Sequence, residues 1–281
     1  MSGFAEFPDF PLKDTLDGGL YLPDEHYLGG GMDQLYLGHA SSRADERYLI
    51  STSTDNGHQL DAVRDRLMKA APGVFTPMFV GHFDVLGDDA DRDRHRQQHC
   101  AFIEQLPDGG PLARVVSDAR PHAAALGRQV GRILESALRT SEVYVMGLRP
   151  EYVWARMEGS VPVVTGIGGR NGTFFTAASR GRGLRTVPLF TRRYHAPEVS
   201  RGERYDDRSL VLMLAVIVAE WALGEYPYET DGAYGYWNLC EGRHRELSLA
   251  PGLADLLSRG MRSDPTERPD LASFVDALDA S

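Results

Sequence analysis

The apolar positions of the chain change their period near residue 105. Before that point they come in short runs separated by turns. Gln34 to Leu37, Tyr48 to Ser51, Phe79 to Val85 and His99 to Glu104 each predict a strand. One stretch between them departs from this: Gln59 to Ala71 places Leu60, Val63, Leu67 and Met68 at spacings of three and four, predicting a helix with a single apolar face. After Gly109-Gly110 the pattern is helical over Pro111 to Ser117, Ala123 to Thr140, Leu253 to Arg262 and Leu271 to Leu278. The longest apolar run, Leu210 to Leu223, carries Glu220 inside it and falls short of the roughly 20 residues that cross a bilayer. A helix apolar on every face must be surrounded by protein, so this one is predicted at the centre of the larger packing unit. Residues 1 to 27, with Pro8, Pro11 and Pro23 and scattered aromatics (Phe4, Phe7, Phe10, Tyr21, Tyr27), show neither period and read as an extended arm. The expected class is α+β: an N-terminal extension (1–27), a small antiparallel β-sheet part with one helix (28–107) and a larger, mainly helical part (108–281).

Composition narrows the function classes. The 281 residues carry 40 acidic and 30 basic side chains, a net charge of −10, without the positive field of a nucleic-acid binder. Lys13 and Lys69 are the only lysines among those 30 basic residues, so chemistry that needs a lysine has two candidates. Cys100 and Cys240 lie far apart without CxxC spacing, which argues against a disulfide framework or a zinc site and for a reducing compartment. The N-terminus lacks a basic segment followed by an apolar run, so no signal peptide, no membrane span and a cytoplasmic location are expected. Gly87 to Gln98 alternates aspartate and arginine and reads as a solvated loop; it lacks the Gly turn and terminal Glu of a calcium loop, and no metal or other cofactor is expected.

The C-terminal half holds four short motifs in order: Tyr194-His195-Ala196-Pro197-Glu198, Asp206-Asp207-Arg208-Ser209-Leu210, Gly224-Glu225-Tyr226-Pro227-Tyr228 and Asp264-Pro265-Thr266-Glu267-Arg268-Pro269. Together with strands followed by helices, they resemble the protein kinase fold of bacterial Ser/Thr kinases over about residues 28 to 279. The resemblance implies two lobes. It makes the first motif the end of the activation loop, the second the start of the central helix at Asp206, the third that helix's exit, and Glu198 with Arg268 a structural ion pair.

Phosphoryl transfer needs a Gly-rich loop, a strand lysine, two metal ligands and a carboxylate base. On this resemblance the Gly-rich loop is Gly29-Gly30-Gly31-Met32-Asp33-Gln34, with Gln34 in place of the third glycine. The strand Arg47 to Ser51 ends in Ser51 where the lysine belongs, and its helical partner corresponds to Asp65. Val143 to Val153 resembles the catalytic loop His-Arg-Asp-Leu-Lys-Pro-Glu-Asn and keeps Leu148, Pro150 and Glu151. Gly147 stands at the base, Arg149 at the lysine and Tyr152 at the metal-binding Asn; Gly166 stands at the metal-binding Asp of Asp-Phe-Gly. The hinge corresponds to Glu104, Gln105 and Leu106. Loss of a positioned base costs ~10²–10⁴ in rate, and loss of both metal ligands removes the charge neutralisation on which most of the rest depends. The chain therefore resembles a pseudokinase, not an enzyme.

Between Gly166 and Pro197 lie Arg170, Arg180, Arg182, Arg185, Arg192 and Arg193 and no acid, so the rest of the chain carries −16 of a total of −10. Two readings stand. Guanidinium forks match phosphate bidentately, which suits an acidic or phosphorylated partner protein; alternatively the arginines pair with the chain's own acids, Asp33 and the aspartates from 84 to 93. Thr173, Thr176, Ser179, Thr186 and Thr191 are candidate phosphosites for an active kinase. By the resemblance, expected partners are an active Ser/Thr kinase or a phosphothreonine-binding forkhead-associated protein. The leading function is a protein-binding scaffold or allosteric regulator in signalling. The alternatives are a nucleotide-binding or atypical phosphotransferase that recruits metal through Glu151, Glu158 or Asp84, and a small-ligand sensor using the inter-lobe cleft.

Overall fold

A computed structural model describes residues 12–14, 20–30, 33–53, 83–85, 100–106, 108–141, 143–145, 148–167, 174–176, 193–228 and 233–279. By contacts the chain divides into two compact units. One comprises Met1–Met68, Thr76–Leu106 and Gly168–Asn171; the other comprises Lys69–Phe75, Pro107–Ile167 and Gly172–Ser281.

The first unit is built on an antiparallel sheet of six described strands: β1 (Leu12–Asp14), β2 (Leu20–Gly30), β3 (Asp33–Ala40), β4 (Arg43–Ser53), β5 (Phe83–Val85) and β6 (Cys100–Gln105), in the order β5-β1-β2-β3-β4-β6. Strands β3 and β4 form a hairpin through the Ser41-Ser42 turn, with Leu37 opposite Leu49. Strand β4 then pairs with β6, Ser51 opposite Phe102. The predicted strands near 34–37, 48–51 and 99–104 are the middles of longer ones. Of the run 79–85, the described part is the strand Phe83–Val85. The predicted helix 59–71 lies outside the described residues.

The reading of residues 1–27 as an arm without strands is corrected: β1 and most of β2 fall within it. The register of β2 against β3 shifts between Pro23 and Glu25 and again between His26 and Leu28. Each shift leaves one residue of β2, Asp24 and then Tyr27, without a partner in β3, so the two-residue period that betrays a strand is interrupted.

The second unit is mainly helical. Its described helices are α1 (Leu112–Val115), α2 (Ala123–Ser141), α3 (Pro197–Arg201), α4 (Asp207–Leu223), α5 (Ala233–Cys240), α6 (Pro251–Gly260) and α7 (Leu271–Ala277). Asp206 caps α4 by accepting from the Arg208 amide, and Gly224 ends it at φ 78°, a left-handed conformation that favours glycine. Between the caps, Leu210 to Ala219 are all buried, so α4 is the axis of this unit. Helix α2 turns Leu126, Val130, Leu134 and Ala137 inward. It approaches α4 and α7 so closely that a Cβ on Gly127 would collide with Val218, and one on Gly131 with Val275. No described helix is long and apolar enough to cross a membrane.

Small sheets complete the second unit. Strand β9 (Val153–Glu158) pairs antiparallel with β7 (Gly110–Pro111) on one side and with β10 (Val161–Ile167) on the other. The outer edge of β10 is occupied by a side chain from α2: Gln129 donates to the Pro162 carbonyl at 3.2 Å and accepts from the Val164 amide at 2.8 Å. The Gln129 amide thus stands in for a neighbouring strand and ties sheet to helix. Strand β8 (Val143–Val145) pairs antiparallel with β11 (Phe174–Thr176).

Candidate functional site

The residues that the kinase resemblance singles out fall in both units. In the first, Gly29 and Gly30 end β2 and pair with Gln34 and Asp33 at the start of β3. Gly31 lies outside the described residues. Ser51 sits in β4 between Leu35 of β3 and Phe102 of β6. Glu104 and Gln105 close β6, and the Leu106 amide donates to the Arg47 carbonyl at 3.4 Å, carrying the pairing one residue past the strand. Asp65 lies outside the described residues.

In the second unit the catalytic-loop-like segment runs from β8 through a 3-10 turn, Pro150–Tyr152, into β9. Pro150 opens the turn with its φ already set. Leu148 is buried and its amide donates to the sulfur of Met213 on α4 at 3.1 Å. A thioether is a weak acceptor, so the loop meets the central helix without charge assistance. Arg149 pairs with Glu151 at 3.0 Å, and its guanidinium lies 5.7 Å from the ring centroid of Tyr152. Tyr152 is 5% exposed. By the resemblance Tyr152 corresponds to the metal-binding Asn and Arg149 to the lysine; here the phenol is buried with the guanidinium over its ring. Gly166 is buried in β10 opposite Trp154, just after a register shift. Gly147 lies outside the described residues.

Glu151 and Glu158, weighed above as metal ligands, both hold guanidinium partners: Arg149 for the first, and Arg156 at 2.7 Å for the second. Among the described residues no cluster of three or more His, Cys, Asp or Glu is placed to hold a metal ion.

Glu198 and Arg268 meet in the interior of the second unit. Two guanidinium nitrogens donate to the two carboxylate oxygens at 2.7 and 3.2 Å, with side-chain exposures of 3% and 0%. The remaining capacity is used: Ser209 Oγ donates to Glu198 at 2.6 Å, and Arg268 donates to the carbonyls of Arg262, Ser263 and Arg208 at 2.7, 2.9 and 3.2 Å. Asp264 accepts from the Thr266 amide at 2.8 Å and so caps the 3-10 turn Pro265–Glu267 that delivers Arg268.

Near the other end of α4 lies an arrangement with no signal in the sequence pattern. Tyr194 donates to Glu220, the one acid within α4's apolar run, at 2.6 Å. Burial raises the Glu220 carboxyl above the usual carboxylate range, against the Tyr194 hydrogen bond and the Arg193 charge, which lower it. A carboxyl whose folded pKa is raised contributes stability below its unfolded pKa and loses it as pH rises through the folded value. Glu220→Gln is therefore expected to flatten the decline in stability just above the ordinary carboxylate range. Urea midpoints measured from pH 4 to pH 7 check this, and an unchanged slope contradicts it.

Of the arginine-rich segment, Arg193 is described, while Arg170, Arg180, Arg182, Arg185 and Arg192 lie outside the described residues. So do Thr173, Ser179, Thr186 and Thr191. Thr176 ends β11 opposite Val143, so its backbone is fixed in a ladder.

Comparison with known proteins agrees with the motifs. Serine/threonine-protein kinase 12 of Arabidopsis thaliana is 32% identical over 100 residues, which cover 31% of this chain and 20% of that protein. Part of the chain is similar to Ser/Thr protein kinases. Serine/threonine-protein kinase pkn3 of Myxococcus xanthus is 30% identical over 95 residues, covering 31% of this chain and 17% of its own length. Serine/threonine-protein kinase STY46 of Arabidopsis thaliana is 30% identical over 100 residues, covering 34% and 17%. The chain thus spans a fifth or less of the length of these relatives. No protein-family profile matches it. The likeness supports a kinase-like protein of mixed helix and strand.

Proposed function

We propose that this chain is a pseudokinase, a two-lobed kinase-like protein that has given up phosphoryl transfer and acts as a protein-binding scaffold or regulator in signalling. The observation that carries the reading is the set of residues at the chemical positions: Ser51, Gly147, Tyr152 and Gly166 supply no cation, no base and no metal ligand. Phosphoryl transfer is positioning and charge neutralisation, and each of these four positions serves one of the two. Substitution at one is open to compensation by a neighbour; substitution at all four removes the mechanism. The geometry around Tyr152 supports this, since the nearby carboxylate of Glu151 is engaged by Arg149.

What remains is a surface. The six arginines between Gly166 and Pro197 form a cationic segment on an otherwise acidic chain, suited to an acidic or phosphorylated protein, such as an active Ser/Thr kinase or a forkhead-associated partner. The segment is also rich in Thr and Ser, and phosphorylation there would draw its own arginines onto the new charge.

A thermal-shift measurement with ATP and Mg²⁺ tests the loss of nucleotide chemistry. Without a phosphate-pairing lysine or a metal ligand the melting temperature is expected to stay within about 1 °C of the unliganded protein. A rise of several degrees that requires the metal contradicts the proposal.

A further inference from the structure

Arg193 is the last of the six segment arginines, and its charge is already engaged within the molecule. Its guanidinium lies 4.0 Å from the centroid of the Tyr226 ring and 5.8 Å from that of Tyr194. The Tyr226 hydroxyl donates to the carbonyl oxygen of Arg193 itself at 2.5 Å, so one tyrosine holds both the cation and the main chain of the same residue. The two rings meet edge to face at 5.8 Å, and both tyrosines are buried. The second wall is fixed in turn, because Tyr194 donates to Glu220 on α4. A cation over desolvated aromatic faces is held by the ring quadrupoles.

We propose that Tyr226 and Tyr194, the latter fixed by Glu220, form a guanidinium cage occupied by the protein's own Arg193, which fixes the C-terminal end of the basic segment and withholds this cation from partners. The inference deepens the docking role proposed above and rests on it for its second half. Tyr226 is then a positioning residue: it acts on the partner surface through Arg193.

Phenylglyoxal, an arginine-directed reagent, reads the cage without any partner when modification is resolved by site with mass spectrometry. Arg193 is expected to react at least about fivefold more slowly in the native protein than in the same protein unfolded in urea. Tyr226→Phe keeps the ring and is expected to leave the native rate within about twofold, whereas Tyr226→Leu is expected to raise it about tenfold. Equal native and unfolded rates overturn the proposal, and so does an unchanged rate in a natively folded Tyr226→Leu protein. If that variant does not fold, the native-to-unfolded ratio decides. For the second half, a synthetic phosphothreonine peptide is expected to bind natively folded Tyr226→Leu about threefold more tightly than wild type, with steeper salt dependence from the released charge. Equal or weaker binding overturns the withholding role. If the wild-type protein binds no such peptide, the docking role fails and the withholding with it, while the modification ratio still judges the cage.

Discussion

Arg268→Ala is expected to destabilise the protein by ~3–5 kcal/mol, with Glu198→Ala in the same range. The side chains are 0% and 3% exposed, so either truncation leaves a charge stranded in the interior. The arginine variant is expected to be the worse of the two. It orphans the Glu198 carboxylate and also removes the donor shared by the carbonyls of Arg208, Arg262 and Ser263. Truncation of Glu198 leaves Arg268 with those three acceptors and strands only its charge and the Ser209 hydroxyl. Glu198→Gln, which keeps the shape and one carbonyl acceptor, is expected to cost less than Glu198→Ala. Urea unfolding measures all three. Losses below ~1 kcal/mol for both alanine variants contradict the burial and pairing described here, because unpaired buried charges cost more than that.

The second large effect concerns binding. Replacing Arg180, Arg182 and Arg185 together by Gln is expected to weaken binding of a phosphothreonine peptide by at least about a hundredfold, since hydrogen bonds to charged groups contribute ~1.5–3 kcal/mol each. On the docking reading the melting temperature is expected to change by no more than about 1 °C. Isothermal titration at low and high salt separates this outcome from the alternative in which these arginines pair with the chain's own acids. In that case the triple variant loses stability and leaves peptide binding as it was.

How much of this was legible in the sequence depended on whether a feature leaves a period or a motif. Helix α4 did both: its apolar run is unbroken but for Glu220, and Asp206 and Gly224 mark its ends. The partnership of Glu198 with Arg268 was implied by the resemblance of two motifs to those of kinases, although the residues are 70 positions apart. Strand β2 was hidden because two register shifts interrupt its alternation and because its partner, β3, is what makes it a strand. Gln129 bracing β10 and Met213 accepting from Leu148 leave no trace, since any helix of this composition offers a glutamine or a methionine. The Arg193 cage is a contact between residues 33 apart that recurs at no fixed spacing, so only coordinates bring it together. Among the chemical positions, the residue types alone carried the argument, and the structure adds the burial of Tyr152 and the Arg149–Glu151 pair beside it.

The central claim is that a kinase-like protein here lacks phosphotransfer. It is tested most directly by incubating the purified protein with γ-labelled ATP and Mg²⁺ and following label transfer to itself, to a general protein substrate and to water. The account predicts rates indistinguishable from those without protein, for the wild type and for Gly147→Asp alike, since restoring the base leaves the cation and metal ligands missing. Magnesium-dependent transfer by the wild-type protein, or its recovery by that single substitution, would contradict it.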